Sequence, residues 1–214
     1  MSINIAVDLR TNFGGARNQG ARPTCMAFAA SDTHSFVHGT KDFLSAEYAH
    51  YSARRRSTPL NANAGVSMAH MVDAIRDDGQ PKEEIWPYLA VVPSSASWAP
   101  PASCGQMFRH AFVEKPADIA NVIAALDAGR PALIGARITL QFYSPPADFI
   151  IRDAANDPVV SNHALVVVGH GTHGGDALVL VRNSWGETWA NLGYAWLTSD
   201  YLAPRISRIA VPST

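Results

Sequence analysis

The period of the hydrophobic pattern changes once along this chain, near its middle, and that change limits the folds open to it. After Thr24, the residues Met26, Ala29, Ala30, Thr33 and Val37 share one helical face, and Gly39 follows as a stop. Ser45 predicts the cap of a second helix running towards Arg54. Ser67 predicts a third, in which Met68, Met71, Val72 and Ile75 keep the helical spacing until Gly79, with both methionines in the core. Asp118 predicts a fourth, carrying Ile119, Val122, Ile123 and Leu126 ahead of Gly129. Beyond it the runs are strand-like: Ala132–Ile138, Ala164–Val168, Ala177–Val181, Gly193–Leu197 and Ile206–Val211. Helices first and strands afterwards predict an α+β domain with two lobes and a cleft between them. The pattern places a helical lobe at about residues 10–108 and a β lobe at about 109–205 of one domain, 1–214, with the terminal segments crossing between lobes. The stretch from Pro81 to Pro116, rich in Pro, Ser and Trp, reads as irregular.

Composition narrows the function classes. The chain has 214 residues, 47% hydrophobic, enough for a sizeable core. A formal net charge of -1 offers nothing to draw it to nucleic acid. No run approaches the ~20 apolar residues that span a bilayer, so no membrane partner is expected. The segment Met1 to Thr11 contains Asp8 and lacks an apolar leader core, so no signal peptide is expected. Only Cys25 and Cys104 could form a disulfide, too few for a disulfide-dependent secreted fold. A cytoplasmic, reducing setting follows, with signal-peptide-independent export as an effector the alternative. Abundant alanine, and arginine over lysine, suggests a bacterial source.

Three motifs carry chemistry. In Gln19-Gly20-Ala21-Arg22-Pro23-Thr24-Cys25 a thiol stands where a helix begins. There the free backbone N–H groups and the helix dipole favour a thiolate. Asn162-His163, followed by Ala164-Leu165-Val166-Val167-Val168, sets an imidazole at the mouth of a buried strand. Asn183-Ser184-Trp185-Gly186 follows the next strand and offers an amide oxygen that can fix the imidazole tautomer.

Together these motifs, with the echoes Leu44-Ser45-Ala46-Glu47, Gly65 and Trp86-Pro87-Tyr88, resemble the papain family of cysteine peptidases over nearly the whole chain. The spacing from Cys25 to His163 and Asn183 is similar to that family's. The resemblance implies a papain-like two-lobed fold, its C-terminal lobe resembling an antiparallel β-barrel, and peptide-bond hydrolysis through a thioester. It implies that Cys25 is the nucleophile, His163 its ion-pair partner and proton donor, and Asn183 the residue that orients His163. Gln19 and the Cys25 N–H would form the oxyanion hole, and Trp185 would shield the Asn–His bond. Gly65 and Asn162 would bind an extended peptide.

The pocket for the residue two before the cut would have Val66, Ser67, Gly135 and Ala164 as walls and Leu202 as floor. Uncharged, it would favour a large apolar side chain and reject carboxylates and ammonium groups. Pro23 and Gly65 would shape a shallow first pocket. No cofactor or metal is required, and the partners are a peptide or protein substrate, with a protein inhibitor or immunity partner left open.

The chain departs from the family at Arg22, where a disulfide cysteine is usual, at Pro23 and Ala190, where glycines are, and at Met26, where an aromatic is. Only 24 residues precede Cys25, so the family's inhibitory propeptide is not expected in this sequence, which fits either a trimmed chain or an enzyme controlled differently. The same four residues would serve an amidase, a deamidase or a transpeptidase, and an inactive peptide-binding module is a further alternative.

Other polar features read as structural. Arg54-Arg55-Arg56 is expected to be the solvated end of a helix, and His34 and His38 a solvated helix face. His170 and His173 are expected in a turn, and Cys104 as a free loop thiol.

Overall fold

In the computed structural model, which describes residues 2–214, the change of period becomes a physical division. Met1, first residue of the segment read for a leader, lies outside the described residues. The chain opens with β1 (Asn4–Asp8), then builds three helices: α1 (Cys25–Val37), α2 (Ala46–Arg54) and α3 (Met68–Asp77). Ser45 and Ser67 cap α2 and α3 by accepting from the backbone N–H of Tyr48 and His70. The second half holds β2 (Phe112–Lys115), α4 (Ile119–Asp127), β3 (Ala132–Thr139), α5 (Leu140–Tyr143), β4 (Ile150–Ile151) and β5 (Val159–His173). It ends with β6 (Asp176–Arg182), β7 (Tyr194–Thr198), α6 (Ser199–Leu202) and β8 (Ile206–Pro212). Asp118 caps α4 through the Asn121 N–H.

The strands form one sheet in the order β2-β8-β3-β5-β6-β7-β4, antiparallel except for β4 on β7. The long β5 carries β3 along the first part of one edge and β1 along the rest, with β6 on the other edge. Gly169 and Gly171 allow β1 this close: a Cβ at either would meet a β1 carbonyl oxygen at 2.5 or 2.4 Å.

Both faces of the sheet are buried, which explains why its strands read as unbroken apolar runs. Leu165 and Val167 of β5 join a core with α4, whereas Ala164, Val166 and Val168 join a second core with Ala27, Ala29, Ala30, Met71 and Ile75 of the helical lobe. A smaller third core, Ala62, Trp86 and Trp98, organises the irregular segment. Small residues on α1 let it lie against β5, and this contact brings the start of α1 opposite the mouth of β5.

Several expectations are corrected. Of the arginine run only Arg55 is exposed: Arg54 is buried and donates to the carbonyls of Gly65 and Pro59, and Arg56 pairs with Asp78. Three consecutive residues point in different directions around a helix end, so they cannot all face solvent when α3 and the following loop pack there. His34 is fully buried rather than solvated, because other elements pack around that part of α1, whereas His38, one turn on, is exposed as expected. His170 and His173 lie inside β5, where His170 pairs with Asp127 at 2.8 Å; the turn comes at Gly174-Gly175, both with positive φ. Leu202 is packed in the β-lobe core and lines no cleft.

Candidate active site

A cleft between the lobes gathers the sequence motifs. Cys25 is the first residue of α1, so its backbone N–H lies among those without a partner in the helix. His163 stands in β5 opposite Ala136 of β3, and Asn183 directly follows β6. His163 Nε2 lies 2.7 Å from Asn183 Oδ1, which also accepts the Ser184 N–H at 2.8 Å. The oxygen therefore accepts from an imidazole N–H, which fixes the tautomer and leaves Nδ1 as the nitrogen available to the thiol. The Trp185 ring lies 4.8 Å from the His163 ring, inclined by 37°, and Tyr143 stacks on the Trp185 ring at 4.9 Å. Asn183 is itself buried.

Gln19 is held at both ends of its amide. Its Oε1 accepts from Ser184 Oγ at 2.7 Å, and its Nε2 donates to the Arg22 carbonyl at 2.8 Å. One N–H of Nε2 remains for a ligand. Tyr88 donates to the Gln19 carbonyl, bracing the same loop.

Burial sets the electrostatics. It pushes the Cys25 thiol up, against the backbone N–H groups of Ala164, Met26 and Cys25 itself. It pushes His163 down to about 4, against the bond to Asn183. Each group alone thus favours its neutral form, and a thiolate–imidazolium pair requires each ion to stabilise the other.

Two pockets flank the thiol. One of about 450 Å³ is lined by Gln19, Cys25, Tyr143, Asn162, His163 and Trp185, among others. The other, of about 370 Å³, brings together Gly65, Val66, Ser67, Gly135, Asn162 and Ala164. Ser207 and Arg208 line it and Leu202 does not, so the pocket expected to be uncharged is bordered by an arginine. Sequence reading missed Arg208 because strict alternation along 206–211 puts Ser207 and Arg208 on opposite faces; a bulge in β8 overrides it. Tyr143 carries no signal in the sequence, whereas Ser184 and Tyr88 lie inside the motifs quoted above without revealing that they hold Gln19. No group of three or more His, Cys, Asp or Glu side chains suited to a metal exists among the described residues.

Arg22, standing where the family usually has a cysteine, crosslinks by charge instead. It is buried with Glu47, at 2.6 Å, and also donates to the carbonyls of Ala62 and Leu89. Glu47 further accepts from Trp98 Nε1 and the Leu89 N–H.

A two-lobed α+β fold with a helix-borne thiol facing an amide-oriented imidazole defines a class of protein, and comparison with known proteins agrees. The model of the papain family cysteine proteases matches residues 3–209. Cathepsin K of Mus musculus is 26% identical over 190 residues, covering 86% of this chain and 56% of that protein. A cathepsin L-like proteinase of Fasciola hepatica is 24% identical, covering 83% and 54%. The chain thus spans little more than half the length of these curated relatives. Xylellain, a cysteine protease from Xylella fastidiosa, has the same fold, with a TM-score of 0.80 at 20% identity over 100% of this chain and 87% of that one. A structure from work on the mite allergens Blo t 1 and Der p 1 gives 0.81 at 19%, over 100% and 72%. The chain belongs to the papain family of cysteine proteases.

Proposed function

We propose that this protein is a cysteine peptidase acting through Cys25, His163, Asn183 and Gln19. The observation that carries the reading is the 2.7 Å bond from His163 to Asn183 beside a thiol at a helix start. In the proposed reaction Cys25 Sγ attacks the carbonyl carbon of the scissile bond, and the displaced electron pair settles on the oxygen. That oxyanion receives the free N–H of Gln19 and the Cys25 backbone N–H. Collapse breaks the C–N bond, and the leaving amine takes the proton held by His163. Water then attacks the thioester, gives a proton to His163, and the acid departs as the C–S bond breaks.

An extended peptide or protein is the substrate, with Gly65 and Asn162 at its backbone and Trp185 beside its leaving half. The same residues would serve an amidase or a transferase, so product identity decides between them. Mass spectrometry of a peptide library should find new N-termini with the wild type and none with Cys25→Ala. Cleavage that persists in Cys25→Ala would exclude the mechanism, and deamidated or transferred products alone would redirect it. We place the protein in a reducing compartment such as the cytoplasm, because Cys25 and Cys104 are both free thiols.

A further inference from the structure

The second pocket carries chemistry that its apolar walls do not explain. Ser207 and Arg208 are consecutive, yet both are exposed and both line it. Neighbours on a regular strand face opposite ways. Here the pairing of β8 with β3 slips: Gly135 faces Arg208, but Ala136 faces Ile206. The extra residue is Ser207, whose hydroxyl donates to the Gly135 carbonyl at 3.0 Å and is thereby tied down.

Arg208 is then the one lining side chain with a fixed charge. Its only carboxylate partner among the described residues is Glu114 of β2, at 3.7 Å, with the two side chains 69% and 40% exposed. Such a long, exposed pair contributes little and exchanges readily. Gly135 keeps the route clear, since even a methyl there would meet Ser207 Oγ at 3.3 Å and Arg208 Cβ at 3.6 Å.

We propose that Arg208 is a specificity-determining residue, and that this pocket selects a substrate side chain with an apolar stem and a carboxylate end, glutamate above aspartate. The stem lies against Val66, Met68 and Ala164, and the carboxylate replaces Glu114 on the guanidinium, which can bind it through two parallel N–H groups. Glutamine offers no charge and lysine meets a like charge. Aspartate falls one methylene short. This inference rests on the peptidase reading, in which the pocket takes the residue two before the cut.

The test has two arms. In the first, the purified wild type is given a peptide series varied only at that position, with Glu, Gln, Asp, Leu and Lys, and kcat/KM is measured. In the second, the same peptides are titrated against Cys25→Ala by fluorescence anisotropy, which reads binding without turnover. Glu is expected to exceed Gln by roughly 3–10-fold at low salt in both arms, and Lys to be the poorest. The Glu/Gln ratio should shrink with added salt. It should fall to about one in Arg208→Ala and rise in Glu114→Gln, which frees the guanidinium.

A Glu/Gln ratio of one in the wild type, or one untouched by Arg208→Ala and by Glu114→Gln, would overturn the assignment while leaving the peptidase reading intact. Glu-selective binding with no cleavage of any peptide would support the pocket and overturn the peptidase reading. Neither binding nor cleavage would overturn both.

Discussion

At the scale of single residues, the site is a set of side chains each held by a neighbour. Ser184 and the Arg22 carbonyl clamp Gln19, which on the proposed reading would set its remaining N–H before substrate binds. Gln19→Ala should therefore lower kcat by roughly 10–1000-fold with little change in melting temperature, since oxyanion donors act mainly in the transition state. An unchanged kcat under acylation-limited conditions would remove Gln19 from the hole. The Cys25–His163 pair should titrate as a unit. Burial holds His163 down to about 4, so the pair gains its second proton only well below an ordinary imidazole's range. Alkylation of Cys25 should fall off on that acid side and stay high through neutral pH. A rate that climbs only through ~8.5, as for a free thiol, would show that no pair forms.

At the scale of elements, α1 and the loop before it are anchored by buried charge. Arg22 and Glu47 face each other with almost no solvent access, and Glu47 also holds Trp98. Removing one partner strands the other charge in the interior. Arg22→Ala is expected to cost roughly 3–5 kcal/mol, read as a drop in the urea midpoint, whereas a charge-removing double substitution, Arg22→Met with Glu47→Leu, should recover much of it. Equal losses in the single and double variants would mean that the pair's charge is not what anchors the loop. The other end of α1 depends on Asp32. Burial would raise its carboxyl, but Arg17 and Arg182 hold it below the usual range. Because Arg182 ends β6, this triad also ties the helical lobe to the sheet.

At the scale of the whole molecule, buried imidazoles predict how stability depends on pH. Gln80 Nε2 donates to the Ser45 carbonyl, so its Oε1 accepts from His34 Nδ1–H at 2.7 Å. Neutral His34 then accepts at Nε2 from His38, 3.1 Å away. His34 and His50 are both pushed down to about 4 by burial. Between about 6.5 and 4 the unfolded chain binds more protons than the native one, so stability falls as pH drops through that window and levels off below it. Each residue accounts for up to about 3 kcal/mol. Asp32 acts later, its contribution fading as pH falls below the ordinary carboxylate range. Urea midpoints measured between pH 7 and pH 4 should show the decline, and His34→Asn should flatten it. A flat profile over this window would mean that the histidines are accessible or already charged.

The sequence by itself determined the helices, their caps and the identity of the chemical groups. Those depend on local spacing: Ser45, Ser67 and Asp118 cap through neighbours three residues on, and apolar residues recur at a period that any short stretch displays. It also brought Cys25, His163, Asn183 and Gln19 into view, because their motifs are contiguous. What only the tertiary structure decided lies wherever two distant segments meet. β1 reads as an unremarkable start until β5 pairs with it. His34 and Arg54 look like surface residues until other elements cover them. The bulge that turns both Ser207 and Arg208 into the pocket is a slip of β8 against β3, and no pattern within either strand records it. Local propensity acts over a few residues, whereas burial, ion pairing and register are properties of the partner a segment finds.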